Sequence, residues 1–137
     1  MQSRMLDVAT GSTETVRDLT SACAAFLDEV AAGGDGLLHV FVPHATAGVA
    51  VLETGAGSDD DLLTVLRELL PRDFEWRHRH GTSGHGRDHV LPALVAPYAS
   101  IPVLGGVMAL GTWQSVVLVD TNVDNRSRQV RLSYLSG

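Results

Sequence analysis

The chain has 137 residues, 45% apolar and 19% charged, with a formal charge of −6 and no lysine, so its ten cationic side chains are all arginine. This suits one domain around one core and disfavours a general nucleic-acid or anionic-membrane surface. Its lone cysteine, Cys23, leaves no internal disulfide, no apolar run approaches the roughly 18 residues of a membrane span, and Met1–Asp7 lacks a signal-peptide core. The expectation is a cytoplasmic protein with neither nucleic-acid nor membrane partners.

Arg4–Thr10 reads as a first strand, and Gly11-Ser-Thr-Glu supplies the polar turn that precedes a helix. Val16, Leu19, Cys23, Phe26, Leu27 and Val30 recur at spacings of three and four. They form one face of a helix that Gly33-Gly34 ends, with Cys23 as core packing. Leu37–Val42 is a strand closed by Pro43 immediately before His44, and Val49–Glu53 is another.

Ser58-Asp-Asp-Asp opens a second helix with apolar positions Leu62, Leu66, Leu69 and Leu70, and Pro71 stops it. The acidic run matches the helix dipole rather than a metal. His78–Gly86 is a glycine-punctuated loop and Asp88–Val95 a short helix. Ile101–Leu104, a Gly105-Gly106 turn, Val107–Leu110, Thr112–Val119 and Val130–Leu135 follow as strand segments. Val116–Val119 is continuously apolar and belongs in the centre of a sheet. Val130, Leu132 and Tyr134 alternate with polar residues and belong to a half-buried strand.

About seven strands and two or three helices, without βαβ alternation or a glycine-rich phosphate loop, give an α+β chain built on a largely antiparallel sheet or sandwich.

Chemistry concentrates in the histidines. Four of six lie between His78 and His89, and imidazole is a metal donor or acid–base group near pH 7 without a large pKa shift. A zinc site needs three or four converging donors, which His44, His78 or His80, and His89 can supply. His85 sits just outside the short helix that carries His89. His39, inside an apolar strand, reads as a hydrogen-bonded core residue.

Glu53 and Asp120 end apolar strands, where a carboxylate can serve as base, histidine partner or magnesium ligand, or simply be solvated. Trp113 by itself is expected in the core. Thr112 and Gln114 would share one strand face and hold a phosphate or polar ring. Arg126 and Arg128 would share another if the last strand starts early.

These residues carry a resemblance. Pro43-His-Ala-Thr-Ala-Gly-Val, Glu53, Trp76-x-His78, Asp88-His89, Ile101-Pro-Val and above all Leu110-Gly-Thr-Trp-Gln114 stand in the order seen in the YjbQ-like family, often labelled secondary thiamine-phosphate synthase. The resemblance implies a compact α+β homotrimer with a histidine site near the subunit boundary. It implies metal ligands at His44, His78 and His89, with His80 and His85 as alternates because this loop is longer than the common form.

It further implies catalytic roles for His44, Glu53 and Gln114, and substrate contacts from Thr46, Thr112, Trp113, Gln114 and Arg126. Ala45, Leu52 and His85 replace the family's usual Thr, Asn and Asn. The expected reaction joins a hydroxymethylpyrimidine diphosphate to a thiazole phosphate. The expected cofactor is a divalent metal, zinc at the histidines or magnesium with the diphosphate. Zinc-dependent hydrolysis of a phosphate ester and a non-catalytic metal- or anion-binding trimer are the alternatives.

Overall fold

The computed structural model describes residues 1–137. Two antiparallel sheets pack face to face. Strands β1 (Gln2–Ala9), β8 (Ser127–Ser136), β3 (Gly36–Phe41), β5 (Tyr98–Leu104) and β6 (Val107–Met108) form one in that spatial order. Strands β2 (Thr15–Asp18), β7 (Ser115–Asp120) and β4 (Ala47–Leu52) form the other. Helices α1 (Thr20–Val30), α2 (Ser58–Leu69) and α3 (Leu91–Leu94) complete the expected α+β architecture.

The continuously apolar segment forms β7, at the centre of the three-stranded sheet, and its period of two explains why both faces must be apolar. Val116 and Leu118 enter the main core with Phe26 and Leu27 of α1, Leu38 and Val40 of β3, and Val130 and Leu132 of β8. Val117 and Val119 face the opposite way, into a smaller core with Leu66, Leu70 and Leu91. α2 and α3 therefore cover the outer face of the three-stranded sheet, whereas α1 packs into the main core. Cys23 is fully buried there, and burial followed by the charge of Asp18 pushes its thiol up to about 12, as a packing role requires.

Several local expectations are corrected. Val16 is not in the first helix. It lies in β2 opposite Val119, and α1 begins only at Thr20, whose amide donates to Asp18 Oδ1 at 2.8 Å. The helix expected over Asp88–Val95 shrinks to the single turn of α3, preceded by a 3-10 turn at His85–Arg87.

Thr112, Trp113 and Gln114 are not in a strand. Gln114 donates its amide to Gly111 O at 3.0 Å and accepts Gly111 N–H on Oε1 at 2.8 Å. This closes a turn that leaves Trp113 74% exposed and removes the shared face of Thr112 and Gln114. The last strand starts at Ser127, so Arg126 is an exposed loop residue while Arg128 is buried.

His39 is half-buried on the outer face of the larger sheet. It bonds Ser100 Oγ through Nδ1 at 2.8 Å and stacks on Tyr98, so it is hydrogen-bonded but outside the core. No helix is long and apolar enough to cross a membrane.

Because Leu118 is fully enclosed between the sheets and Leu69 is 62% exposed, their truncations should separate cleanly. Urea unfolding is expected to show a loss of ~2–5 kcal/mol for Leu118→Ala and a change within about 0.5 kcal/mol for Leu69→Ala.

Candidate functional site

The segment after α2 folds back on itself, and glycine makes this possible. A Cβ on Gly86 would lie 2.5 Å from Trp76 Cβ and 2.6 Å from His78 O, so only glycine lets the 3-10 turn pack against the irregular stretch carrying Trp76 and His78. Arg87 locks the turn from below. It is 2% exposed, donates through Nη1 to Leu70 O at 3.2 Å, and pairs through Nη2 with Glu14, which also pairs with Arg67 at 2.5 Å. For Glu14, burial favours protonation, but the hydrogen bonds from Arg67 and Arg87 outweigh it and hold the carboxyl below its ordinary range.

The result is a nest of four imidazoles. Donor atoms of His78, His80 and His85 lie within 4.8 Å of one another. His89 joins them, its Nε2 3.0 Å from His85 Nε2 and its ring centroid 4.0 Å from that of His78. Desolvation, followed by the charge of neighbouring histidines, lowers the pKa values of both His78 and His89, so these rings are neutral at pH 7 and their lone pairs are available.

His78 Nε2 is buried and has no hydrogen-bond partner. An orphaned imidazole nitrogen facing other imidazoles fits a cation. Imidazole donors grouped in this way suit zinc, which His78, His80 and His85 would hold.

Two carboxylates flank His85. Its Nδ1 lies 3.0 Å from Asp124 Oδ2 and 3.4 Å from Asp88 Oδ2. Asp88 is 1% exposed and accepts a 2.7 Å hydrogen bond from the Thr121 hydroxyl; burial raises its pKa, against that bond and the Arg87 charge. An open cleft of about 330 Å³ adjoins the nest, with Arg72, Arg79, Phe74 and Trp76 on its walls beside His78 and His85.

His44 is not in this group. Its Nε2 accepts the Gln129 amide at 2.9 Å, which leaves the proton on Nδ1; burial and then the Arg128 charge depress its pKa. Around it lies a buried polar network. Arg128 donates to both oxygens of Asp120, at 2.6 and 3.1 Å, and to Thr46 Oγ1 at 2.9 Å, while Asn122 Nδ2 donates to Thr46 Oγ1 at 3.2 Å. Asp120 is thus consumed in an ion pair rather than free to act as base or magnesium ligand, and Thr46 is 6% exposed, within the network.

The remaining expected site residues stand elsewhere. β4 and β7 pair Ala47 with Asp120 at one end and Leu52 with Ser115 at the other, about 17 Å away at ~3.4 Å per residue. His44, Thr46 and Asp120 occupy the first end. Glu53, Thr112, Trp113 and Gln114 occupy the second, where Glu53 is exposed and Gln114 lines a separate cavity of about 300 Å³ between α1 and β6. Arg126 is near the first end, its backbone carbonyl accepting the Thr10 amide at 2.9 Å.

The sequence reading missed Glu14, Arg87, Asn122 and Asp124. The only signal for the last two is the largely polar run Asn122-Val-Asp-Asn125 between β7 and β8, and Glu14 and Arg87 carry none, being 73 residues apart.

Comparison with known proteins agrees with this fold. Residues 4–137 match the family model of the UPF0047 protein YjbQ-like group. A UPF0047 protein of Mycobacterium tuberculosis (strain H37Rv) is 58% identical over 137 residues, covering all of both chains. One of Mycobacterium bovis is 60% identical over 133 residues, covering 97% of this chain and all of its own. The crystal structure of a hypothetical protein from Aeropyrum pernix K1 superposes with a TM-score of 0.90 at 32% identity over the whole of both chains. The two mycobacterial relatives bear the family name, and none of the three carries a thiamine-phosphate synthase label. By sequence and by fold, the chain belongs to the YjbQ-like UPF0047 family.

Proposed function

We propose that the chain is a zinc-dependent enzyme that hydrolyses a small phosphate ester at the histidine nest. The observation that carries this reading is the convergence of His78, His80 and His85 within 4.8 Å at the wall of an open cleft. These three residues would hold the metal. Bound zinc supplies Lewis acidity toward a phosphoryl oxygen and toward water. Arg72 and Arg79, on the cleft wall, would bind the phosphoryl oxygens, for which guanidinium geometry is suited. His89, neutral and 3.0 Å from His85, is placed to take a proton from water or return one to the leaving group.

Hydrolysis is favoured over thiamine-phosphate synthesis by the state of the carboxylates. A diphosphate leaving group calls for magnesium held by oxygen ligands, yet Asp120 is bound to Arg128 and Glu53 stands at the far end of β4. The Glu53–Gln114 end would reach the nest only from another subunit. We propose the homotrimer on that ground and because the outer face of the larger sheet exposes Leu37, Tyr98, Leu104 and Leu135.

Three outcomes are expected. Tag-free protein reconstituted with zinc and assayed by elemental analysis should hold about one ion per chain. His78→Ala and His85→Ala should lose it and His44→Ala should keep it; metal lost from His44→Ala but kept in His78→Ala would move the ligand set to His44. Zinc-loaded protein should release inorganic phosphate from p-nitrophenyl phosphate, with at least 100-fold less turnover in His85→Ala. Formation of thiamine phosphate without ester hydrolysis would replace the hydrolase reading with the synthase. Sedimentation equilibrium at micromolar concentration should give three times the chain mass of 14.6 kDa, and a monomer would refute the trimer.

A further inference from the structure

Asp124 lies on the loop between β7 and β8, 39 residues beyond His85 in sequence. Its Oδ2 accepts the Thr82 amide at 3.1 Å and its Oδ1 accepts the Thr82 hydroxyl. These two hydrogen bonds, the side-chain one first, hold the carboxyl below the ordinary aspartate range. The same Oδ2 is 3.0 Å from His85 Nδ1, a buried nitrogen that makes no aligned hydrogen bond to any group, so carboxylate and imidazole meet as a close polar contact.

Gly81 makes the approach possible. Its φ is +83°, and a Cβ there would lie 2.8 Å from Asp124 Oδ2 and 3.0 Å from the His85 ring, so a side chain would drive the two apart. The loop from Gly81 to His85 is thus shaped around this carboxylate–imidazole contact.

We infer that Asp124 is a positioning residue of the histidine nest: it holds the proton of His85 on Nδ1 and thereby presents the Nε2 lone pair to the cation. A carboxylate that can only accept requires the proton on the nitrogen facing it. In the other tautomer His85 Nε2 would carry hydrogen toward His89, 3.0 Å away, and the nest would lose a donor. Asp88 is the more distant of the two carboxylates, 3.4 Å from the same Nδ1. Partners of this kind typically govern metal affinity by about 10–100-fold.

The inference rests on the metal reading for its consequence but not for its test. In metal-free protein, nitrogen-detected NMR of the His85 ring should show the Nδ1–H tautomer dominant in wild type and a mixture in Asp124→Ala. Asp124→Asn, whose amide oxygen still accepts, should restore the wild-type tautomer. In parallel, zinc competition against a chromophoric chelator should show a loss of about 10–100-fold in affinity for Asp124→Ala, with most of it recovered in Asp124→Asn.

Thr82→Val, which removes the hydroxyl bond to Asp124 but keeps the carbonyl that accepts the His85 amide, should give an intermediate loss and guards against misfolding of the alanine variant. An unchanged His85 tautomer in both Asp124→Ala and Thr82→Val overturns the inference. Failure of wild-type protein to bind zinc would refute the metal reading while leaving the tautomer result to decide the role of Asp124.

Discussion

The seam between the two sheets is closed at one end by a single buried ion pair. β7 belongs to the three-stranded sheet and β8 to the five-stranded one, and Asp120 at the end of the first meets Arg128 near the start of the second through two hydrogen bonds. Both are at most 3% exposed. Burying two charges costs several kcal/mol each. The attraction offsets that cost only because the geometry is two-pronged and Thr46 takes another guanidinium proton. Loss of either partner would strand a charge in the core, with a penalty of about 3–5 kcal/mol. The pair also sets the path of the Thr121–Asn125 loop.

That loop connects the two polar regions of the molecule. Asn122 reaches Thr46 and so the segment carrying His44. Thr121 reaches Asp88, and Asp124 reaches Thr82 and His85. The histidine nest is therefore not a self-contained loop. Its four ligand-type rings come from one stretch of chain, but the groups that orient them arrive from β7–β8 on one side and, through Glu14 and Arg87, from the segment before β2 on the other. A polar network of this kind is strong when complete and costly when incomplete, because the low local dielectric acts on both.

The distribution of apolar surface explains why the polar groups gather where they do. With β7 feeding two cores and α2 covering one face of its sheet, the strand edges and ends are the only places where unpaired imidazoles and carboxylates keep access to water. The two ends of that sheet carry different chemistry: imidazoles and anion-pairing arginines at the Asp120 end, an amide, an indole and a free carboxylate at the Ser115 end.

Much of this was legible in the chain itself. Spacings of three and four marked α1 and α2, the unbroken apolar run marked β7 as central, alternation marked β8, and the order of short motifs marked the family. These are local properties, set by side-chain periodicity and by turn chemistry. The errors were local as well. Over four residues a strand and the first turn of a helix have the same apolar pattern, so Val16 was assigned to the wrong element, and only its pairing with Val119 makes it a strand.

A run of polar and small residues before a strand reads as its first residues until a turn bond is seen, as at Thr112–Gln114. The sequence by itself determined the fold class, the main core and the concentration of histidines. Tertiary structure alone decided which histidines meet, that His44 bonds the Gln129 backbone 85 residues away, and that Asp124 faces His85. Those contacts depend on how two sheets stack and where loops close, and no periodicity within a single segment encodes the distance between groups on different strands.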